Sequence, residues 1–412
     1  MKFFHLADLH LGKSIHGYSM IEMGDQPFWL DQILKKAEEI RPDAILISGD
    51  VYDRAVPSKE AVNLLNDFLT KLSEMKIPVL MIAGNHDSGS RLAFGNRIFR
   101  NQGIYIAGNA EKEILRVTLQ DCYGPVNFWL VPYLFPAAVN MIFGVEHIRD
   151  YDSAMGMLLE NQKINTEERN VILSHQFVTA GGEKPSMGGS ETTVGGIGQM
   201  DASVFEAFDY VALGHIHNAQ KMGNEKVRYA GSPLCYHFSE SGQKKGLTLV
   251  EIREKGTLEV SIEELPVLHK MKEISGTIEE LLEAEAEENS YIRAVIKQEF
   301  LPPQAVERLR THFEAQNAIL LEVIRDISHQ KRSGEKERKK DARTSSLEEL
   351  FADFYSYQYD GSMPGEHLEK LIGFVAEQTR NCRGDESARE YEKSIRQLIE
   401  FAEECKYEED QQ

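Results

Sequence analysis

The sequence predicts a layered α/β fold flanked by helices, then a small α+β unit and a helical C-terminal tail. Three observations carry this reading. Short, wholly apolar runs alternate with amphipathic stretches through the first 270 residues, and the texture changes from about residue 271. A polar stretch then separates that region from apolar stripes at helical spacing. At about 150 residues per domain, the 412 residues amount to roughly three units.

The apolar runs are FFHLA at the start, AILIS (44–48), VLMIA (79–83), VILSH (171–175) and YVALG (210–214). Each is bounded by Gly, Asp or Asn, as strands buried on both faces are. Residues 59–75 keep Ala61, Leu64, Leu65, Phe68, Leu69 and Leu72 at a 3.6-residue period, and Pro78 closes that helix. The alternation implies helices layered on a sheet. Runs at 226–231, 246–252 and 257–262 read as further strands, which completes a first domain over 1–270.

Residues 271–327 form the small α+β unit, with strands at 291–298 and 318–325 around a helix at 304–315 started by Pro302–Pro303. Residues 328–346 lack apolar periodicity and read as a linker. The remainder, 347–412, is helical: Leu347, Leu350, Phe351, Phe354 and Tyr355 form one stripe, and Leu368, Leu371, Ile372 and Val375 a second. A third helix spans about 386–404. The first stripe must fold back, dimerise or dock on another protein's helices.

With 42% hydrophobic and 27% charged residues, the composition excludes a disordered chain. The net charge of −20 argues, as a chain average, against binding nucleic acid. Half of that excess falls in 344–412, where seven basic residues face seventeen acidic ones. Cys122, Cys235, Cys382 and Cys405 show no CxxC spacing and are read as reduced thiols. His5 and Asp8 interrupt any signal-peptide core, and no stretch reaches the ~20 apolar residues of a membrane helix. A cytoplasmic chain without a membrane partner is the expectation.

Chemistry follows each apolar run. Asp8 and His10 (DLH) come after the first, and Gly49, Asp50 and Asp53 (GDVYD) after the second. Gly84, Asn85, His86 and Asp87 (GNHD) follow the third; His175 ends the fourth; His215 and His217 (GHIH) follow the fifth. Strand carboxyl ends of an open α/β sheet share one crevice, so these groups are expected to meet. Carboxylate, imidazole and amide donors suit two divalent ions such as Mn²⁺, Fe²⁺ or Zn²⁺, with Asp50 shared between them. Glycines 49, 84 and 214 would let the backbone turn tightly there. Such an ion pair activates water, clamps phosphate oxygens and adds four positive charges where phosphate approaches. His86 is the group to stabilise charge or protonate a leaving oxygen.

A lone DxH or HxH motif is weak; the five elements in this order, each after an apolar run, are what carry the reading. His5 is read as structural. His16, His147, His237, His269, His312, His329 and His367 are assigned to packing or solvent, and Trp29 and Trp129 to the core.

In this order the motifs resemble the calcineurin-like metallophosphoesterases over roughly the first 235 residues. The resemblance implies a β-sandwich flanked by helices, with Asp8, His10, Asp50 and His217 on one metal. It implies Asp50, Asn85, His175 and His215 on the other, and His86 as the catalytic histidine. GDVYDRAVPS (49–58), AGNHDSGSRL (83–92) and AGSPL (230–234) are further similar to the bacterial SbcD nuclease family, the counterpart of archaeal and eukaryotic double-strand-break repair nucleases.

That likeness implies a Mn²⁺-dependent DNA nuclease with 3′→5′ double-strand exonuclease and single-strand or hairpin endonuclease activity. It implies a DNA-binding cap over 271–327 and a tail from Leu347 that docks on an SbcC-type ABC ATPase, in a homodimer within a heterotetramer. The chain has no GxxxxGK[ST] loop, so ATP use falls to the partner. Asp53 stands where archaeal and eukaryotic relatives usually carry His and bacterial ones Asp. With Asp87, it is expected to orient a ligand or the substrate.

Two other readings share these motifs: a phosphodiesterase or phosphatase of nucleotides or other small phosphoesters, and a non-catalytic DNA-end-binding scaffold. The complete ligand set disfavours the scaffold. The basic stretch Lys331 to Arg343 is a solvated linker or a DNA-backbone contact. The glycine-rich 181–198 reads as a loop near the crevice, with Ser186, Ser190, Thr192 and Thr193 within reach of phosphate if it is more than a plain loop.

Overall fold

The computed structural model describes residues 1–189, 198–298, 302 and 304–326. The linker, the Leu347–Tyr355 stripe with the later helices, and Ser190, Thr192 and Thr193 lie outside the described residues. The principal strands of the first domain are Lys2–Leu6 (β1), Ala44–Ser48 (β2), Val79–Ile82 (β3), Ile104–Ala107 (β4), Leu115–Asp121 (β5) and Gly124–Val131 (β6). They continue with Arg169–His175 (β7), Tyr210–Gly214 (β8), Gln220–Met222 (β9), Asn224–Tyr229 (β10), Gly246–Ile252 (β11) and Leu258–Glu264 (β12).

These strands make two six-stranded sheets, in the orders β12-β11-β1-β2-β3-β4 and β9-β10-β8-β7-β6-β5. The crevice is therefore not the edge of one open sheet, as the strand-end argument expects, but the common end of two facing ones. In the first sheet β1 to β4 run parallel, with β11 antiparallel to β1. In the second, β6, β7, β8 and β10 run parallel.

Period-two alternation explains why the runs are apolar throughout. In β2, Leu46 enters the core between the sheets, whereas Ile45 and Ile47 join a separate outer core. Trp29, Leu30 and Ile33 of the helix Asp25–Ile40 and Leu65, Phe68 and Leu72 of the helix Lys59–Glu74 complete that outer core. Ser58 caps the second helix by accepting from the Ala61 amide at 3.2 Å. In β7, Leu173 faces inward and Ile172 faces outward, toward the helices Pro136–Phe143 and Tyr151–Glu160. Phe3 ties the sheets together with edge contacts to Phe128 and Tyr210 at centroid distances of 5.6 and 5.8 Å.

The small unit holds three parallel strands, Lys270–Gly276 (β13), Ser290–Ile296 (β14) and Ile319–Arg325 (β15), linked by the helices Ile278–Glu283 and Ala305–Glu314. The apolar pattern reveals two of its strands and the second helix. It does not reveal β13, whose KMKEISG alternation is half charged, or the first helix, which Thr277 and Glu280 start with a capping box. The core of the unit is Ile278, Leu281, Ile292, Ala294, Leu309 and Phe313. Among the described residues no helix is long and apolar enough to cross a membrane.

Candidate metal centre

The two sheets deliver the motif residues to one place. Asp8 and His10 follow β1, Asp50 follows β2, and Asn85 and His86 follow β3; all come from the first sheet. His175 ends β7, and His215 and His217 follow β8, in the second. Asp8, His10, Asp50, His175 and His217 are each at most 3% exposed.

Distances tie the set together. His10 Nε2 lies 3.2 Å from His217 Nε2 and 3.7 Å from Asp50 Oδ2. His175 Nε2 lies 3.3 Å from Asp50 Oδ2 and 3.1 Å from Asn85 Oδ1, which is also 3.1 Å from His215 Nδ1. Three groups place mutually close donor atoms: Asp8, His10 and His217; Asp8, Asp50 and His175; and His10, Asp50 and His86.

The donor chemistry fits cations. His217 Nδ1 faces the Glu240 carboxylate at 3.4 Å, whereas His10 Nδ1 lies 3.5 Å from Asp53 Oδ1 without hydrogen-bond geometry. With its Nδ1 proton directed at Glu240, His217 turns its Nε2 lone pair toward His10 Nε2, 3.2 Å away. His175 donates Nδ1–H to the Ser48 carbonyl at 2.8 Å, which aims its Nε2 at Asp50. Buried carboxylates with ring nitrogens aimed at them need a positive charge, which a proton on His175 supplies here and a metal ion would supply in its place.

The backbone is strained where the ligands sit. Asp8, His10, Asp50 and His215 have φ of 54°, 42°, 47° and 99°, a region that non-glycine residues enter at a cost of about 1–3 kcal/mol each. The Asp8 carboxylate accepts the His215 amide at 2.9 Å across the two sheets, and Asp50 Oδ1 accepts that of His86 at 2.9 Å from the neighbouring loop, so each turn is held by another. The glycines differ in purpose. At Gly84 an added Cβ would fall 2.1 Å from Asp50 Oδ1, and at Gly214 2.0 Å from the Ser48 carbonyl, so close approach rather than a turn demands glycine there.

Protonation follows from burial and pairing. Burial would raise the Asp50 carboxyl, but the His175 cation, then His10 and His86, hold it well below the usual range. Burial opposes protonation of His175, yet Asp50 and Asp8 lift it to about 9. Burial and the His175 charge depress His215 to about 3. The centre thus concentrates negative charge around one histidine that any metal must deprotonate.

His86 is 38% exposed at its side chain, donates Nδ1–H to the Asp53 carbonyl at 3.0 Å and keeps Nε2 4.0 Å from Asp50 Oδ2. Asp53 receives Lys13 Nζ at 2.8 Å, so one residue touches His10 through its side chain and His86 through its main chain. Asp87 accepts the amides of Gly84, Val51 and Tyr52 at 2.9, 3.0 and 2.9 Å, binding the loops after β2 and β3 to each other. Burial, then the Asp50 charge, raises its carboxyl to about 6. Ser186 bonds Gln220 through its backbone.

Sequence reasoning misses Gln26, Tyr236, Glu240 and Lys245. Gln26 holds the His10 carbonyl at 2.8 Å, and Tyr236 donates to the Leu9 carbonyl at 2.6 Å while its ring packs on His10 and His217. None sits in a motif; only the fold brings them to the ligands.

A family model described as calcineurin-like phosphoesterase matches residues 1–219. The chain belongs to this family. A second model, the type 5 capsule protein repressor C-terminal domain, matches residues 267–359. The D subunit of the SbcCD nuclease of Staphylococcus epidermidis is 35% identical over 286 residues, covering 69% of this chain and 74% of that protein. Among solved structures, TT1561 of Thermus thermophilus aligns with a TM-score of 0.37 at 14% identity, covering 63% of this chain and 98% of that one. The phosphoesterase Yfce from E. coli aligns with a TM-score of 0.26 at 12% identity, covering 61% and 88%. As a calcineurin-like phosphoesterase the chain is a phosphoester-cleaving enzyme that binds divalent metal.

Proposed function

We propose that the chain is a manganese-dependent DNA nuclease subunit, acting as a 3′→5′ exonuclease on duplex ends and an endonuclease on single strands and hairpins. The observation that carries it is the convergence of eight motif side chains at the sheets' common end, four on left-handed backbone, in a chain related to a named nuclease subunit.

Asp8, His10, Asp50 and His217 would hold one ion, and Asp50, Asn85, His175 and His215 the other; mixed oxygen and imidazole donors suit Mn²⁺. When bound, the pair supplies Lewis-acid stabilisation of phosphoryl charge and an activated water. Asp50 sits between the two ligand sets and holds the His86 backbone. His86, fixed at Nδ1 by the Asp53 carbonyl, presents Nε2 to the open side and passes a proton to the leaving 3′ oxygen. Lys13 pins Asp53, and through it the His10 and His86 rings.

The same reading assigns 271–327 to a DNA-binding cap, 328–346 to a linker and 347–412 to docking on an SbcC-type ATPase through Leu347, Leu350, Phe351, Phe354 and Tyr355. The reaction then belongs in the cytoplasm, with the DNA. Exposed Phe94, Ile98 and Phe99, together with Val56 and Val62, support a homodimer. The test is cleavage of linear duplex and hairpin DNA with Mn²⁺, with the ATPase partner and ATP added. His86→Ala should abolish cleavage and keep metal binding. Turnover of nucleotides without DNA cleavage, even with the partner present, would replace this reading with a small-phosphoester phosphodiesterase.

A further inference from the structure

We infer that Glu240, locked by Lys245, is a positioning residue for His217, and that the turn carrying it couples the metal centre to the small parallel-sheet unit. This rests on the metal-centre reading above and goes beyond it to two residues that no motif contains.

Glu240 is fully buried. Its Oε1 lies 3.4 Å from His217 Nδ1, while Oε2 receives Lys245 Nζ at 2.9 Å and the Tyr236 amide at 3.2 Å. Lys245, 6% exposed at its side chain, also reaches the His217 carbonyl at 2.9 Å, Ser232 Oγ at 2.8 Å and Gln243 Oε1 at 3.0 Å. The pair thus grips His217 at both ring and backbone. A buried ion pair returns little more than its desolvation costs, and apolar side chains of similar volume often fold as well or better. Stability alone gives no reason for it, whereas His217 does. A carboxylate on Nδ1–H fixes the tautomer, raises ligand basicity and aims Nε2 at His10 Nε2, 3.2 Å away.

The coupling is mechanical. Glu240 ends the 3₁₀ turn Phe238–Glu240. The Arg293 guanidinium of β14 lies 4.6 Å over the ring of Phe238, which is 2% exposed. Arg293 is held by Glu322 of β15 at 2.6 Å and Glu273 of β13 at 3.4 Å, so all three strands of the unit bear on this turn. His16 also packs here, 6.1 Å from the Phe238 ring and 3.7 Å from Glu322. Shifting the unit moves Phe238, and with it the carboxylate that orients His217. Metal binding and seating of the unit must then strengthen each other reciprocally.

The test uses the full chain, titrated with Co²⁺ by visible absorption and with Mn²⁺ by calorimetry. Glu240→Gln should weaken one of two sites by about tenfold or more and change the Co²⁺ spectrum of that site alone. The double variant Glu240→Met with Lys245→Met removes both buried charges together, so it should melt closer to wild type than Glu240→Met alone and show the same metal defect. Arg293→Met should weaken the same site by about fivefold. Wild-type isotherms in both Glu240 variants would overturn the positioning role, and a wild-type isotherm in Arg293→Met would overturn the coupling. A wild-type chain that binds two metals but leaves DNA intact fails the nuclease reading alone.

Discussion

Replacing Gly214 by alanine probes how tightly the two sheets close on the centre. The new Cβ would stand 2.0 Å from the Ser48 carbonyl oxygen, 2.7 Å from His175 Nδ1 and 3.0 Å from Ala7 Cβ. Ordinary contact begins near 3.4 Å, so the first of these must open by about 1.4 Å. Ser48 ends β2 in one sheet and Gly214 ends β8 in the other, so the methyl group wedges the sheets apart at their shared end. The two crowded atoms are also the partners of the 2.8 Å hydrogen bond that sets the His175 tautomer. Overpacking of this kind costs about 1–3 kcal/mol, at about 2–4 °C of melting temperature per kcal/mol. A displacement near 1 Å in a catalytic group costs about 100-fold in rate. Gly214→Ala should therefore lose at least about 100-fold in Mn²⁺-dependent hydrolysis of bis(p-nitrophenyl) phosphate, while its melting temperature falls only several degrees. Wild-type turnover with an unchanged melting temperature would refute the claim that close approach dictates this glycine.

Three further outcomes are expected. Arg169, 3% exposed, pairs with Asp121 and donates to the carbonyls of Gly124 and Arg253; Arg169→Met should cost about 3–5 kcal/mol in urea unfolding, and a change under about 1 kcal/mol would rule out a structural role for the pair. Burial, then the Arg228 charge, lowers His5 to about 3, so the folded chain keeps it neutral while the unfolded chain binds a proton below about 6.5. Its contribution is complete above about pH 6.5 and is lost as pH falls toward 3, by about 1.4 kcal/mol per pH unit. His5→Gln should flatten that part of the curve, and parallel curves in urea melts at about pH 7, 6 and 5 would contradict it. Phe94→Glu with Ile98→Glu, at positions 82% and 72% exposed, should turn a sedimenting dimer into a monomer of unchanged melting temperature, whereas a wild-type monomer at micromolar concentration would dispose of the dimer.

The layered fold was legible because a strand buried on both faces must be apolar at every position, and AILIS, VILSH and YVALG are nearly so. The strands Leu115–Asp121 and Gly124–Val131 were not, since the first alternates polar and apolar at the sheet edge and the second carries Asn127 amid its apolar run. The motif residues could be named because donor type and position after a strand are local properties of the chain. Their convergence from two sheets, the left-handed backbone at Asp8, His10, Asp50 and His215, and the grip of Glu240 and Lys245 on His217 are not local. The sequence by itself determined which groups could hold metal. Only the tertiary structure decided which nitrogen of His175 and of His217 faces inward, because a tautomer is set by its hydrogen-bond partner, and Ser48 and Glu240 reach those rings from the opposite sheet or another loop.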